Sequence, residues 1–247
     1  ELPQFTNQES ESRAVFFEGD YDLSDRWTLT AGLRYTEDEK NSSQQGVVPC
    51  FQAPGTFPAE YANIPAQCAN NLFTPIVNDE EWDELTPKLA LKYELNQDAM
   101  VYGLYSRGYR AGGFNGRVDA IETAITAYDP ETVDNYELGY RSTWNNRLVF
   151  NATLFYMDYQ DKQEEIQQPS ATSGTGQVTR VVNASDATIQ GLEIEFTYLA
   201  SDKLTLRGNL GLLDAEYDSF SVDTGTPGSP SIQDFSHLEF RRAPEVN

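Results

Sequence analysis

The chain has 247 residues, of which 39% are hydrophobic and 12% aromatic, and its 17 Lys and Arg stand against 39 Asp and Glu. This length and apolar content exclude a wholly disordered chain. The formal charge of -22 excludes a nucleic-acid-binding protein, because neutralising phosphates requires clustered Lys and Arg. No apolar run approaches the length of about 18 residues that a transmembrane helix needs.

An alternation of apolar and polar residues runs through much of the chain. From Trp27 to Thr36, apolar side chains fall on one face and mainly Thr, Gly and Arg on the other. This period of two predicts strands, because successive side chains of a strand point to opposite faces. Strands are predicted at 13–23, 27–38, 85–95, 99–110, 131–142, 147–159, 187–199 and 203–217, and a ninth is predicted to begin near 238. Their length suits tilted membrane-spanning strands, which need about 9 to 11 residues.

The connections between the predicted strands alternate between short and long. Tight turns lie at 24–26, 96–98, 144–146 and 200–202, and long connections span 39–84, 111–130, 160–186 and 218–237. Outer-membrane barrels combine short periplasmic turns with long external loops in this way. The predicted fold class is therefore all-β, an antiparallel up-and-down transmembrane β-barrel, of which the chain holds a part.

Aromatic residues cluster near both ends of the predicted strands. Those beside the tight turns are Trp27 and Trp144, and those toward the long connections are Tyr35, Tyr105, Tyr109, Tyr156 and Tyr159. Rings with a polar edge favour the membrane interface, so we expect two aromatic girdles. The alternative is the general enrichment of aromatic residues in strands.

Several segments, in order along the chain, resemble barrel strands of TonB-dependent outer-membrane receptors. They are WTLTAGLRY at 27–35, TPKLALKYELNQDAMVYGLYSRGYRAGGFN at 86–115, PETVDNYELGY at 130–140, LFYMDYQ at 154–160 and IQGLEIE at 189–195. The resemblance implies a barrel of about 22 strands, closed by an N-terminal plug domain. We therefore expect residues 1–247 to be a fragment of one such barrel domain, with about eight or nine of its strands and without the plug domain and the final strands.

The resemblance also implies a function. Such receptors bind a scarce ligand, often an iron–siderophore complex, and import it with energy passed through TonB. The implied partners are outer-membrane lipid, the receptor's own plug domain, TonB and a small ligand such as a metal chelate, in the outer membrane of a Gram-negative bacterium. No enzyme activity and no cofactor are expected. A passive porin-type barrel and a secreted β-sandwich enzyme or carbohydrate-binding protein are the alternatives.

Charged residues opposite the apolar face are candidates for lining the lumen. They are Arg34, Lys88, Lys92, Glu94, Arg107, Arg110, Glu137, Arg141, Glu193, Glu195 and Arg207. The alternation places all of them on the polar side except Arg110, whose parity is opposite to that of Arg107. They would contact the plug or the ligand, or they would form cross-strand ion pairs inside a hydrated barrel.

The segment RGYRAGGFN at 107–115 ends one predicted strand. Its glycines permit tight bends, and its two arginines and two aromatics suit an anionic, aromatic ligand. The alternative is a structural role at the barrel rim.

Cys50 and Cys68 are the two cysteines, and both lie in the long 39–84 connection. A pair confined to one loop of an exported protein predicts a disulfide. No metal site is predicted, because the single histidine, His237, is remote in sequence. Acidic residues at 37–39 and 79–84 flank this loop, where they would bind Ca²⁺ or remain solvated.

Overall fold

The computed structural model describes residues 4–46, 76–116, 126–169, 177–225, 231–240 and 243–246. The regular elements in these ranges are all strands: β1 Gln4–Ser24, β2 Trp27–Gly46, β3 Ile76–Asn96, β4 Ala99–Arg110, β5 Gly113–Phe114, β6 Ala127–Tyr128, β7 Glu131–Trp144, β8 Leu148–Pro169, β9 Gln177–Ser201, β10 Leu204–Asp223 and β11 Ile232–Asp234. No helix in the described part of the chain is long and apolar enough to cross a membrane.

Nine of these strands form one antiparallel sheet in the order β1-β2-β3-β4-β7-β8-β9-β10-β11, and β5 pairs with β6. Each long strand therefore pairs with the long strand before it in the chain, as in an up-and-down meander. The predicted all-β antiparallel class is confirmed. Over the described residues the sheet is a partial barrel that does not close.

Several strands are longer than the alternation predicted. β2 continues to Gly46 and β3 begins at Ile76, inside the predicted 39–84 connection. β8 and β9 together fill most of the predicted 160–186 connection. In the β2 extension both faces are polar, and the few apolar residues of the others, such as Ile76 and Val178, do not form a sustained alternation. A hydrophobic period therefore cannot reveal these extensions. They are strands because their backbones pair, as in the register Gln8↔Ser42↔Asn78.

The predicted ninth strand near residue 238 is wrong. Leu238 lies in a turn, where its amide donates to the carbonyl of Phe235 at 2.9 Å. This segment folds back so that Phe240 stacks on Tyr217, with ring centroids 4.2 Å apart. Pairing with β10 occurs later, at the bridge between Val246 and Leu212. The aromatic residues after β11 are therefore used for packing rather than for a strand.

The register sorts the side chains of the sheet onto two sides. Leu138, Leu154, Leu192 and Leu212 are direct partners across β7, β8, β9 and β10, and they define the apolar side. Leu138 is 59% exposed and Leu154 52%. Such a row of exposed leucines fits a surface that lipid covers. Residues of opposite parity form the polar side.

A row of tyrosines marks the end of this apolar surface toward the long connections. Ring centroids are 5.2 Å apart between Tyr105 and Tyr136, and 6.3 Å apart between Tyr136 and Tyr156. We call these three residues the tyrosine row, and the strand segments between it and the tight turns the membrane band. At the turn end, Trp27 lies 4.4 Å from Tyr93, and both rings are on the apolar side.

One residue predicted for the girdle lies elsewhere, because Tyr159 shares the polar side with its partners Val133 and Ala187. Tyr109 has the parity of Tyr105, and its hydroxyl is buried. The buried apolar residues are Ile76, Phe114, Val178, Ala187, Phe220 and Val222. All lie above the tyrosine row, so the core of the described residues is at the end with the long connections.

Candidate functional site on the polar side

The register places most of the predicted lumen residues on the polar side. These are Arg34, Lys88, Lys92, Glu94, Glu137, Arg141, Glu193, Glu195 and Arg207. They form small groups rather than one cluster. Three arrangements occur: ion pairs between or along strands, a network around one tyrosine, and exposed charges.

Lys88 illustrates the ion pairs. Its Nζ lies 2.9 Å from Oε2 of Glu18, across the whole width of β2. Gly32 is the residue between them, and a Cβ there would lie 3.3 Å from the Glu18 carboxylate. Because both side chains are about half exposed, such a pair contributes about 0–1 kcal/mol to stability.

Two further candidates bond within their own strands. Nζ of Lys92 lies 3.2 Å from Oε1 of Glu94 on β3. Nε of Arg34 donates to the hydroxyl of Thr36 at 3.0 Å on β2. For these residues the ion-pair and hydrogen-bond interpretation holds within the described part of the chain.

Glu137 and Arg141 are linked through Tyr102, which sequence reasoning missed. The Tyr102 hydroxyl lies 3.3 Å from Oε2 of Glu137 and donates to it, and the Arg141 guanidinium lies 5.5 Å from the ring. The ring covers Gly139, where a Cβ would collide with it. This aromatic-over-glycine packing is visible only when the register Tyr102↔Gly139 is known.

Glu193, Glu195 and Arg207 are exposed on the polar side of β9 and β10. Among the described residues, no salt bridge involves any of the three. Their charges face the space that the sheet partly encloses, so they are available for contacts with a polar partner.

The register reverses the sides predicted for Arg107 and Arg110. Arg107 has the parity of Tyr105, whose partners Leu89 and Tyr136 are on the apolar side, and Arg110 has the opposite parity. The polar side of β4 begins Met100, Tyr102, Leu104, so the local alternation did not reveal which side is which. The predicted placement of these two arginines is therefore corrected.

Arg107 is held by carboxylates. Its Nε and Nη2 donate to the two oxygens of Asp134 at 2.9 and 2.7 Å, and the Tyr105 hydroxyl donates to the same carboxylate at 2.8 Å. Nη1 lies 3.8 Å from Oε1 of Glu84. Arg110, in contrast, is 67% exposed and lies 3.5 Å from Oε1 of Glu131. Of the two arginines, Arg110 is the more accessible to a ligand.

Above the membrane band, β4 separates from β3. Their pairing stops at Lys88↔Ser106, although β4 continues to Arg110. The Tyr109 hydroxyl is buried near Asp38 of β2 and Glu84 of β3. Burial raises the pKa of this hydroxyl, and the nearby carboxylates of Asp38 and Glu84 raise it further. The end of the β4–β7 hairpin is thus free to follow a different direction from β3.

The connection after β4 lies against the polar side. We call residues 111–116 and 126–130 the strap. Within it, Phe114 is 7% exposed, and a Cβ on Gly113 would lie 2.7 Å from the Tyr128 hydroxyl oxygen. The segment 107–115, which the sequence offered as a ligand site or a structural rim, therefore makes structural contacts from Gly112 onward.

Lys40 of β2 is a strap contact that the sequence did not single out. Its Nζ donates a short hydrogen bond to the carbonyl of Gly112 and lies 5.7 Å from the centre of the Trp82 ring. Burial lowers the pKa of Lys40, Asp38 raises it in part, and Arg110 lowers it. The Lys40 side chain thus holds the strap against β2 through its hydrogen bond to Gly112.

The remaining predictions concern the connection after β2. Cys50 and Cys68 lie outside the described residues. On the flanking strands, the register places Glu37 opposite Asp83 and Glu39 opposite Glu81. Within the described ranges, no group of three or more His, Cys, Asp and Glu is arranged to hold a metal ion.

The chain matches the family model described as TonB dependent receptor-like, beta-barrel, over residues 2–241. It belongs to the TonB-dependent receptor family. The predicted family is thereby confirmed, and this family consists of outer-membrane receptors and transporters of Gram-negative bacteria rather than enzymes. The porin and the secreted β-sandwich alternatives are set aside.

Solved structures have the same fold. The ferric yersiniabactin uptake receptor FyuA from Yersinia pestis is 19% identical with a TM-score of 0.67, over 90% of this chain and 33% of that one. The siderophore receptor PiuA from Acinetobacter baumannii is 17% identical with a TM-score of 0.67, over 98% and 30%. The hemophore receptor HasR from Serratia marcescens, solved with its hemophore HasA and heme, is 15% identical with a TM-score of 0.63, over 92% and 38%.

At these identities the similarity shows the fold alone. This TonB-dependent receptor barrel spans about a third of the length of the FyuA, PiuA and HasR chains. Over the described residues, its polar side is one face of a partial barrel.

Proposed function

We propose that this chain is part of a receptor that imports a scarce ligand across the outer membrane with energy passed through TonB. The match to the receptor barrel family over residues 2–241 carries this proposal. An iron–siderophore complex is the ligand class favoured, because FyuA is named for ferric yersiniabactin and PiuA for a siderophore. A heme-related receptor and a copper transporter are also among the similar structures, so the test includes those ligands.

We further propose that the complete receptor has a plug domain inside the barrel and more strands than the nine-stranded sheet. The charges of Glu193, Glu195 and Arg207 support contacts with a plug, since exposed charges without a salt bridge among the described residues suit a polar partner in the lumen. Arg34, Lys88, Lys92, Glu137 and Arg141 would line the same lumen. Arg110 would lie near its mouth, and Arg107 would stabilise the rim through Asp134.

The experiment is uptake by the complete receptor in outer-membrane receptor-deficient cells, with and without a functional TonB. Radiolabelled ferric siderophores, heme and copper are offered separately in iron-poor medium. We expect accumulation of a ferric siderophore that requires both the receptor and TonB. Receptor-dependent accumulation without TonB would contradict active uptake, and TonB-dependent accumulation of heme or copper alone would replace the ligand class.

A further inference from the structure

Above the tyrosine row, the sheet divides into two ribbons. The first ribbon consists of residues 4–12, 38–46 and 76–84, and the second of residues 160–169, 177–187 and 216–223. Between them, β4 ends at Arg110 and β7 begins at Glu131. The sheet therefore has a notch at β4 and β7, and sheet hydrogen bonds do not join the two ribbons above it.

The strap bonds the first ribbon through the carbonyls of its backbone. Gln8 donates to the carbonyl of Phe114 at 3.1 Å, and Thr6 donates to that of Gly116 at 3.0 Å. Gln44 of β2 donates to the carbonyl of Asn115 at 2.8 Å. Thr6 and Gln8 are two residues apart and Gln44 is the cross-strand partner of Thr6, so all three share the polar side.

The same strap bonds the second ribbon. Nδ2 of Asn115 donates to the carbonyl of Val181 at 3.0 Å, and the Val181 amide donates back to Oδ1 at 2.7 Å. Nε2 of Gln163, a residue only 8% exposed, lies 3.0 Å from the carbonyl oxygens of both Ala111 and Asp129. Asn183 donates to the Asp129 carbonyl at 2.8 Å and accepts from its amide at 2.7 Å.

Asn115 therefore bonds β2 with its carbonyl and β9 with its side chain. In the sheet, β3, β4, β7 and β8 lie between those two strands, which amounts to five spacings of about 4.8 Å, or about 24 Å along the sheet. One asparagine can reach both strands only if the sheet curves around it. The strap is thus a chord across the concave, polar side of the sheet.

We infer that the strap is a brace that holds the two ribbons at a fixed separation over the barrel mouth, and that Asn115 is its link. Its bonds replace the backbone pairing that the notch removes. Gly112 lies against the Trp82 ring and Gly113 against Lys40, both of the first ribbon, and Phe114 beside them is buried. Because the brace is built from contacts within this chain, its test requires no ligand and is independent of which ligand the receptor imports.

Hydrogen–deuterium exchange of the complete receptor in lipid nanodiscs tests the brace. Asn115→Ala removes both bonds to Val181, so amides of residues 38–46 and of residues 177–187 should both exchange at least about threefold faster. The matched control is Asn41→Ala. The side-chain Nδ2 of Asn41 donates a hydrogen bond to Glu39 on its own strand and makes none to the strap among the described residues. Faster exchange confined to residues 111–116, or in neither ribbon, would overturn the inference.

Two further variants keep the test decisive. Asn115→Asp preserves the side-chain volume but loses the donor to the Val181 carbonyl. It should therefore speed hydrogen exchange in both ribbons, even if Asn115→Ala does not assemble. Gln8→Ala removes one hydrogen bond between the first ribbon and the strap, so it should speed hydrogen exchange in the first ribbon alone. Asn115 would be excluded as the link if Gln8→Ala sped hydrogen exchange equally in both ribbons. It would also be excluded if Asn115→Asp sped hydrogen exchange in neither ribbon.

Discussion

Leu138 and Leu154, in the membrane band, are 59% and 52% exposed, whereas Ser42 and Gln44, above the tyrosine row, are 1% and 3% exposed. The same sheet thus exposes leucines on β7 and β8 in one region and buries polar residues of β2 in the other. In the membrane band, lipid rather than a protein core covers the apolar side chains. The backbone N–H and C=O groups must therefore hydrogen-bond to neighbouring strands. Above it, the strands of each ribbon remain paired, the buried apolar residues lie there, and side-chain hydrogen bonds join both ribbons to the strap.

A lysine on the apolar side of the membrane band should give the largest effect. Ile194 lies on that side near the middle of the band, paired with Ala152 and Leu210. Ile194→Lys should lower the free energy of unfolding of the complete receptor in lipid bilayers by about 2–4 kcal/mol, because the charge loses its hydration. Asn209→Lys is the control, since Asn209 is exposed on the polar side. Equal losses, measured by urea unfolding, would contradict the assignment of sides.

A branched residue under the Tyr102 ring should come next. Gly139→Val would force the ring from its position over β7, and we expect a loss of about 1–3 kcal/mol, as for overpacking. Gly103→Val is matched, because the nearest neighbour of a Cβ there is the Glu137 carbonyl oxygen at 4.0 Å. In the same unfolding assay, Tyr102→Ala should reduce the loss caused by Gly139→Val. An undiminished loss would show that the ring is not the obstacle.

Loss of a buried strap contact should have a more local effect. Gln163→Ala would remove the side-chain donor to the Ala111 carbonyl and leave Asn183 as the donor to the Asp129 carbonyl. We expect a loss of about 0.5–1.5 kcal/mol, as for a single hydrogen bond. Hydrogen exchange at residues 126–130 should report it, while amides of the membrane band stay unchanged. Gln167→Ala, at an exposed position of the same strand, should change neither region. Faster exchange in the membrane band would argue against the separation of the two regions.

Neutralising one carboxylate above the membrane band should give the smallest effect. Glu81 lies directly opposite Glu39, and like charges in that position repel. Glu81→Gln should therefore raise stability by about 0.2–1 kcal/mol at low salt, and the gain should disappear at 1 M salt, where screening acts over about 3 Å. Thermal unfolding measures this gain in stability. If the gain persists at high salt, charge repulsion between Glu39 and Glu81 is not its cause.

The sides of the membrane band were predictable wherever the alternation was unbroken. Arg34, Glu193 and Glu195 were placed on the polar side from sequence, and the register agrees. Arg107 and Arg110 were not, because β4 carries apolar residues on both sides. Only pairing with Leu89 and Tyr136 identifies its apolar side.

The extensions above the tyrosine row were missed for a related reason. Between Asp38 and Gln44 both faces of β2 are polar, so no period distinguishes a strand from a loop. Backbone pairing with β1 and β3 makes this segment a strand, and the identity of its side chains contributes little to that pairing. The predicted disulfide between Cys50 and Cys68 stays a prediction.

By itself, the sequence determined the strand pattern of the membrane band, the tight turns and the receptor family, because these depend on residues close together in the chain. The tertiary structure alone decided the role of the strap. Asn115 meets Gln44 and Val181, which lie 71 and 66 residues away in the chain, only because the sheet curves. The curvature of the sheet results from the twist and register of many strands together. A pattern of residues close together in the chain therefore cannot predict it.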